Sequence, residues 1–417
     1  MLSLRRKVSA QSGGSGPTSS LLTRIGPVEL LIMQPTPFCN ISCDYCYLAH
    51  RSDSARMPLE IVEATFRNLL QDNLLGPELT VIWHAGEPLV ASPEFYRHAF
   101  DGAQRLSSEC CRIRHAIQTN GILINDEWCA LFKQWGVNIG VSLDGPPHIH
   151  DRHRRTRDGR PTHERVMRGI ERLQQAQIPF HVITVVTRDS VGHATEIMDF
   201  FRKEGITQLA FSIEEAEGIH PSSSMKGLEE AYQTFMQEVL EAARLGLPDV
   251  HIRELQSALG QIKLEAPQLD FDGRRVPYNP QIVPGAVITV DHRGGFTTWS
   301  PEFIDLKHER FEDFVLGNVQ SDSVRQCLDS PRARAIKQEI FRGVAACANE
   351  CEYFSLCGGG APINKLIETG SFASTATMYC RCTIQTPLNV ALGALETSLG
   401  VPINSAGTAQ APKGVFR

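Results

Sequence analysis

The chain has 417 residues, 42% hydrophobic and 21% charged, with a formal net charge of −6. That composition suits a globular protein of about two or three domains, and its acidic balance argues against nucleic acid as a bulk partner. No run of about 18 apolar residues exists to span a bilayer, so no membrane association is expected.

Residues 1–26 are rich in Gly, Ser and Thr and are expected to form a flexible tail. Arg5, Arg6 and Lys7 can open an export signal, but the following 11–17 stretch has no apolar segment, so the signal reading fails. Twelve cysteines without an export signal predict a reducing, cytoplasmic setting. From Val28 the pattern alternates strand and helix. Strands are expected at 28–34, 79–84, 112–118, 138–143, 181–187 and 208–213. Helices are expected at 58–72, 93–106, 126–135, 163–176 and 194–204. Most strands are short, apolar and β-branched, as when both faces are covered.

Six such units are too few to close an eight-stranded barrel. The expected fold class is α/β, a partial (β/α)6 TIM-like barrel. After residue 215 the rhythm changes to helices at 228–245 and 251–264, a hairpin at 286–299, a helix at 323–341 and a cysteine-rich end. The expected organisation is a 1–26 tail, a 27–220 core, a 221–285 helical connector, a 286–398 cysteine-bearing domain and a 399–417 tail.

Cys39, Cys43 and Cys46 are spaced C-x3-C-x2-C. Three thiolates in this pattern can hold three irons of a cubane [4Fe–4S] cluster and leave the fourth open to a small molecule. Structural zinc wants a fourth ligand at paired spacing, and the nearest histidine, His50, sits in a polar run. The cysteine loop follows the first strand, at the carboxyl end where such sheets bind ligands. The next strands run into His84-Ala85-Gly86-Glu87-Pro88, Gln118-Thr119-Asn120-Gly121 and Ser142-Leu143-Asp144-Gly145, placing small polar groups at the same rim. His84 reads as a packed structural histidine, and the basic run 150–157 as a solvated loop.

Near the end, Cys347-x3-Cys351-x5-Cys357 followed by Cys380 offers four thiolates for a second, fully coordinated cluster. Gly358-Gly359-Gly360 lets the backbone approach it closely and offer N–H groups. A zinc ion on the same thiolates is the other reading, and Cys382 rivals Cys380. Cys110, Cys111, Cys129 and Cys327 read as small buried apolar residues.

The ordered set C-x3-C-x2-C, Ala85-Gly86-Glu87-Pro88, Gln118-Thr119-Asn120-Gly121 and Ser142-x-Asp144-Gly145 resembles the radical S-adenosylmethionine enzymes. In that family the open iron chelates S-adenosylmethionine, and an electron releases a 5′-deoxyadenosyl radical. The resemblance implies that Tyr45 packs near adenine and that Gly86 and Glu87 hold the methionine ammonium. It implies that Ser142 and Arg154 contact ribose and carboxylate, with Asn120 also in the cofactor site. Ala85 stands where the family has its first Gly. The cysteine-rich end resembles the SPASM extension, which often carries seven cysteines and two auxiliary clusters. Here Ala361 and 298–301 lack the cysteines of the inner cluster, so one auxiliary [4Fe–4S] cluster is expected, held by Cys347, Cys351, Cys357 and Cys380.

Longer matches at 34–39, 83–89, 299–302 and 351–360 resemble GrrM-type, cyclophane-forming maturases over about residues 27–398. The resemblance implies a ribosomally made precursor peptide as substrate and an electron donor such as flavodoxin or ferredoxin. The product implied is a bond from an aromatic ring carbon to the β-carbon of a residue two positions downstream. The radical would take a β-hydrogen, the carbon radical would add to the ring, and loss of an electron and a proton would restore aromaticity. The auxiliary cluster is the implied electron acceptor, a purely structural role being the other reading, and Glu214, Glu215 and Glu302 are candidate bases. The segment before residue 27 is too short for a separate leader-binding domain, so leader recognition is expected to use the core or another protein. A thioether-forming or formylglycine-generating maturase is the alternative. A non-enzymatic iron–sulfur carrier is disfavoured by the open ligand spacing and the Gly-Glu-Pro turn.

Overall fold

Seven strands lie side by side in sequence order and all run parallel. They are β1 (Val28–Met33), β2 (Leu75–Trp83), β3 (Arg112–Thr119), β4 (Asn138–Ser142), β5 (Phe180–Val186), β6 (Gln208–Ile213) and the short β7 (His251–Ile252). In this computed structural model the described residues are 24–398, apart from 108, 247–249, 264–266 and 272–273. The expected tails fall outside them except for residues 24–26, where the Gly26 N–H donates to the Pro284 carbonyl. Among the described residues no helix is long and apolar enough to cross a membrane.

Helices connect the strands and cover them because each carries an apolar stripe. Leu59–Gln71 buries Phe66 and Leu69, and Pro93–Ser107 buries Tyr96 and Phe100. Trp83 packs edge-on against Tyr96, with ring centroids 5.1 Å apart. Each such large side chain removed from water contributes about 1.5–3 kcal/mol, which holds strand and helix layers together. Asn125 caps Asp126–Trp135 by accepting from the Trp128 N–H, and Gly136 ends it in a left-handed conformation. The expected α/β alternation is present, in an open sheet.

The sheet continues past β1. The hairpin of β8 (Val287–Val290) and β9 (Gly295–Thr298) adds to it, β8 parallel to β1, and β10 (Gly317–Asn318) pairs beyond β9. The helix expected over 323–341 is instead two, Val324–Leu328 and Pro331–Glu350. Pro331 has no N–H to continue the first, while Ser330 caps the second by accepting from the Ala333 N–H. The second helix then runs on through Cys347. A separate apolar cluster, including Trp299, Phe303, Phe314, Ile336, Ile340 and Phe372, forms the core of this C-terminal part. A ribbon of Gln268–Phe271 and Arg274–Pro277 was not expected from the sequence.

The basic run is not a solvated loop. It forms the helix Pro147–His153 and a short strand, Arg154–Thr156, that pairs antiparallel with Ile41–Cys43 of the cysteine loop. Buried Arg154 donates from Nε and Nη2 to the two oxygens of buried Asp144, at 2.8 and 3.0 Å. Asp144 also accepts from the Tyr45 hydroxyl at 2.6 Å and the Val185 N–H at 3.0 Å. One carboxylate thus ties the exit of β4 to the cysteine loop, its brace and β5. Burial by itself raises the Asp144 carboxyl, but the Arg154 guanidinium and these hydrogen bonds outweigh it and hold it below the usual aspartate range. The stabilisation is therefore complete above the ordinary aspartate pKa and is lost as pH falls through the lowered one.

Asp144→Ala should cost about 3–5 kcal/mol, because it leaves Arg154 buried and uncompensated. The double change Asp144→Leu with Arg154→Met should cost less than that single change, and urea unfolding of both proteins checks the order.

Candidate active site

The exits of β1 to β6 surround one cavity of about 320 Å³. Cys39, Cys43 and Cys46 line it together with Tyr45, Ala85, Gly86, Glu87, Asn120, Ser142 and Arg154, all singled out from the sequence. The cysteine loop is held at several points. Arg157 donates to the Cys39 and Arg51 carbonyls at 3.1 and 2.7 Å, Arg51 donates to the Cys43 carbonyl at 2.7 Å, and Asn120 Nδ2 donates to Asn40 Oδ1 at 2.7 Å. Burial pushes the Cys39 and Cys43 thiols up to about 12. Buried thiols of this kind ionise against a bound cation, so the loop suits a metal cluster.

Gly86 has φ +56°, and a Cβ there would lie 2.4 Å from the Phe38 carbonyl oxygen and 2.5 Å from that of Thr36. Only glycine lets the exit of β2 press against the cysteine loop. Ala85 takes the left-handed conformation too, with φ +72°, which is costly for a residue with a Cβ. Glu87 is fully enclosed: Oε1 accepts from the Leu89 N–H and the Thr119 hydroxyl, and Oε2 from the Asn120 N–H. It bolts the exits of β2 and β3 together and by count keeps one acceptor position free. Ser142 Oγ accepts from Gln118 Nε2 at 3.0 Å. Arg154 uses two of its five N–H donors on Asp144 and stacks over the Tyr45 ring at 5.3 Å, leaving donors for an anionic group.

The cavity is also lined by Glu214, Glu215, Glu217 and Glu302. Burial raises the Glu302 carboxyl to about 8, helped by Glu217. Burial also raises Glu215 and Glu217, which hydrogen-bond to each other, and Glu215 Oε2 accepts from Asn364 Nδ2 at 2.6 Å. Glu214 is engaged by Ser224, through both its hydroxyl and its N–H. Glu217 was missed from the sequence, although residues two apart on an extended segment face the same way, which puts Glu217 with Glu215. The Tyr47 hydroxyl is buried beside these acids without a hydrogen-bond partner among the described residues. The segment after β6 meets the cysteine loop, where a Cβ on Gly218 would lie 2.2 Å from the Tyr47 carbonyl oxygen and His220 Nε2 sits 3.2 Å from the Cys46 carbonyl oxygen. His84 lines the same cavity, and burial lowers its pKa to about 4, so it is a neutral imidazole.

Cys347, Cys351, Cys357 and Cys380 line a second, small cavity. Lys365 Nζ lies 3.1 Å from Cys347 Sγ, and the Gly360 N–H donates to Cys357 Sγ at 3.2 Å. Gly358, Gly359 and Gly360 all have positive φ; the Gly358 N–H donates to the Phe354 carbonyl, and those of Gly359 and Gly360 turn to the Cys357 sulfur. Cys380 opens a wide π-type turn, Cys380–Gln385, of the kind frequent at functional sites. Cys382 is fully buried in the main core instead. Of the cysteines expected to be small buried residues, Cys111 and Cys129 are buried, Cys327 is half-buried and Cys110 is exposed at the turn after Pro93–Ser107.

The Radical SAM superfamily model matches residues 33–219. An uncharacterised protein of Synechocystis sp. (strain PCC 6803) is 39% identical over 91% of this chain and 95% of its own length. The serine-type anaerobic sulfatase-maturating enzyme of Bacteroides thetaiotaomicron is 23% identical over 85% of this chain and 87% of its own. The solved structure of anSMEcpe with AdoMet and the Cp18Cys peptide bound is similar in fold, with a TM-score of 0.71 at 21% identity over 90% of this chain and 99% of that one. Streptococcus suis SuiB bound to its precursor peptide SuiA is similar with a TM-score of 0.57 at 17% identity, over 85% and 76% of the two chains. The chain belongs to the radical SAM superfamily, whose members bind a [4Fe–4S] cluster and S-adenosylmethionine.

Proposed function

We propose that this protein modifies a ribosomally made precursor peptide by joining an aromatic ring carbon to the β-carbon of a residue two positions downstream. One observation carries the reading: Cys39, Cys43 and Cys46 share a single cavity with three half-buried, raised carboxyls, Glu215, Glu217 and Glu302. In this reading the core at 27–220 holds the open cluster on those cysteines. S-adenosylmethionine is held by Tyr45, Ala85, Gly86, Glu87, Asn120, Ser142 and Arg154. Cys347, Cys351, Cys357 and Cys380 of the 286–398 region hold the auxiliary cluster, and a flavodoxin or ferredoxin supplies the electron.

When bound, these groups supply the deoxyadenosyl radical that takes a hydrogen and an acceptor for the electron lost as the ring regains aromaticity. The remaining task, removing a proton from the ring carbon, falls to the chain. A carboxyl raised toward neutrality is matched to that work, and Glu302 with the Glu215–Glu217 pair lines the cavity wall. SuiB, similar in fold, has been solved with a precursor peptide. Likeness to the sulfatase-maturating enzymes favours a second reading, oxidation of a side chain to formylglycine. Against it stands the end of the hairpin, where Trp299, 1% exposed, packs against Phe303 and no cysteine is available for an inner auxiliary cluster.

Reduced, reconstituted protein should turn S-adenosylmethionine into 5′-deoxyadenosine. Co-expressed with the small open reading frame beside its gene, it should yield a peptide that has lost two hydrogens and carries an aromatic crosslink in tandem mass spectra. A thioether or an aldehyde in its place rejects the reading. The crosslinking rate should rise with pH toward about 8, because the base acts only when ionised, and Glu302→Gln should flatten that limb. Cys380→Ala should halve the iron content, whereas Cys382→Ala should leave iron unchanged and lower Tm.

A further inference from the structure

Two other hollows adjoin the radical cavity, and they have no lining residue in common. The first, about 370 Å³, lies between the end of β6, the helix Arg253–Ile262 and the turn at 379–387. It shares Ser212 and Glu215 with the radical cavity. The second, about 210 Å³, lies between the exit of β1, the cysteine loop and the hairpin turn at 291–293. It shares Leu48 and Ala85 with the radical cavity.

We infer that the three form one trough, with the radical cavity as its middle section, and that its occupant is an internal stretch of extended polypeptide rather than a chain end or a small molecule. The inference rests on the proposed peptide substrate and narrows it. A small molecule needs only the middle section, and a chain terminus needs only one arm. A chain modified at an interior residue must leave in both directions, and each direction here has a hollow of its own. The first arm mixes polar and apolar groups around the Arg253–Glu254 ion pair, and the second is lined largely by ionisable side chains such as Asp53, Asp291 and Arg293, which suits a peptide with polar flanks. In the first arm Ser257 and Gln261 offer polar groups beside apolar Phe211, Ala258 and Ile384.

The second arm holds a sharper sign. Gln34 is 6% exposed and lines it, yet its Nε2 has no hydrogen-bond partner among the described residues. A buried amide donor without a partner is costly to keep and is retained where a ligand supplies the acceptor. A peptide carbonyl entering this arm is such an acceptor. Gln34 also opens the 34–39 stretch, and neither cluster nor cofactor binding gives its side chain a role.

The test uses the holoenzyme with S-adenosylmethionine and the fluorescein-labelled peptide encoded beside the gene. That peptide is compared with versions cut short on one side or the other of the modified residue. Each cut should weaken binding about tenfold or more by anisotropy, a change of one decade in Kd. Ser257→Trp, at an exposed position in the first arm, should remove the benefit of one flank only. Gln34→Leu should remove the benefit of the other flank while raising Tm, because it deletes the unmet donor; a purely structural glutamine would lower Tm. If a one-flank peptide binds as tightly as the full length, or both variants act on the same flank, the trough is overturned even where the crosslink forms. If both flanks are gripped but no crosslink appears by mass, the trough stands and the proposed chemistry falls.

Discussion

The buried Asp144–Arg154 pair is the constraint on which the site depends. It lies where four separate segments converge, the exits of β4 and β5, the cysteine loop and the strand that braces it. A buried pair of this kind is a weak source of net stability, because desolvation offsets much of the attraction. Its worth lies in geometry. The guanidinium fork and the carboxylate fit each other in few ways, and each fit places Tyr45 and Cys43 relative to the strand ends. Glu87 does for β2 and β3 what Asp144 does for β4 and β5. Two enclosed carboxylates therefore set the shape of the rim.

The same burial has a different outcome across the cavity. Asp144 is held ionised by a cation, whereas burial and one another's charge raise Glu215, Glu217 and Glu302. The Asp144–Arg154 pair thus keeps its charge, while burial raises Glu87 beside it as well as the acids across the cavity. The cation, not depth alone, decides which carboxyl stays ionised. Both sets lie on strand exits or on segments strapped to them, so neither depends on a free loop for its position.

Much of this was legible in the sequence because it is local. Apolar, β-branched runs located the first six strands, and the spacing of Cys39, Cys43 and Cys46 located the centre of the site. The four C-terminal cysteines gather as the spacing implied, and Cys380 rather than Cys382 faces the others. What was not legible depends on pairing between distant segments. The run at 150–157 looked like a solvated loop because its charges give no hint that Arg154 finds a buried carboxylate. The break at Ser330-Pro331, by contrast, is local, a capping serine followed by a residue with no N–H. Glu217 carries a local signal, two residues after Glu215 on an extended segment, but its cavity forms only where that segment meets the cysteine loop. The addition of β8 beside β1, which joins the C-terminal hairpin to the main sheet, follows from contacts that no local pattern encodes.

The seam between the segment after β6 and the cysteine loop has a consequence in chain entropy. His220 and Cys46 are 174 residues apart, yet they meet in close contact. The entropy of closing a loop grows with the logarithm of its length, so doubling the span adds only about 0.6 kcal/mol. Lengthening or shortening the outer turns between β1 and β6 therefore changes the cost of closing the mouth very little. The reacting face can stay fixed while the outer surface varies, which leaves that surface open to insertions that never reach the cavity.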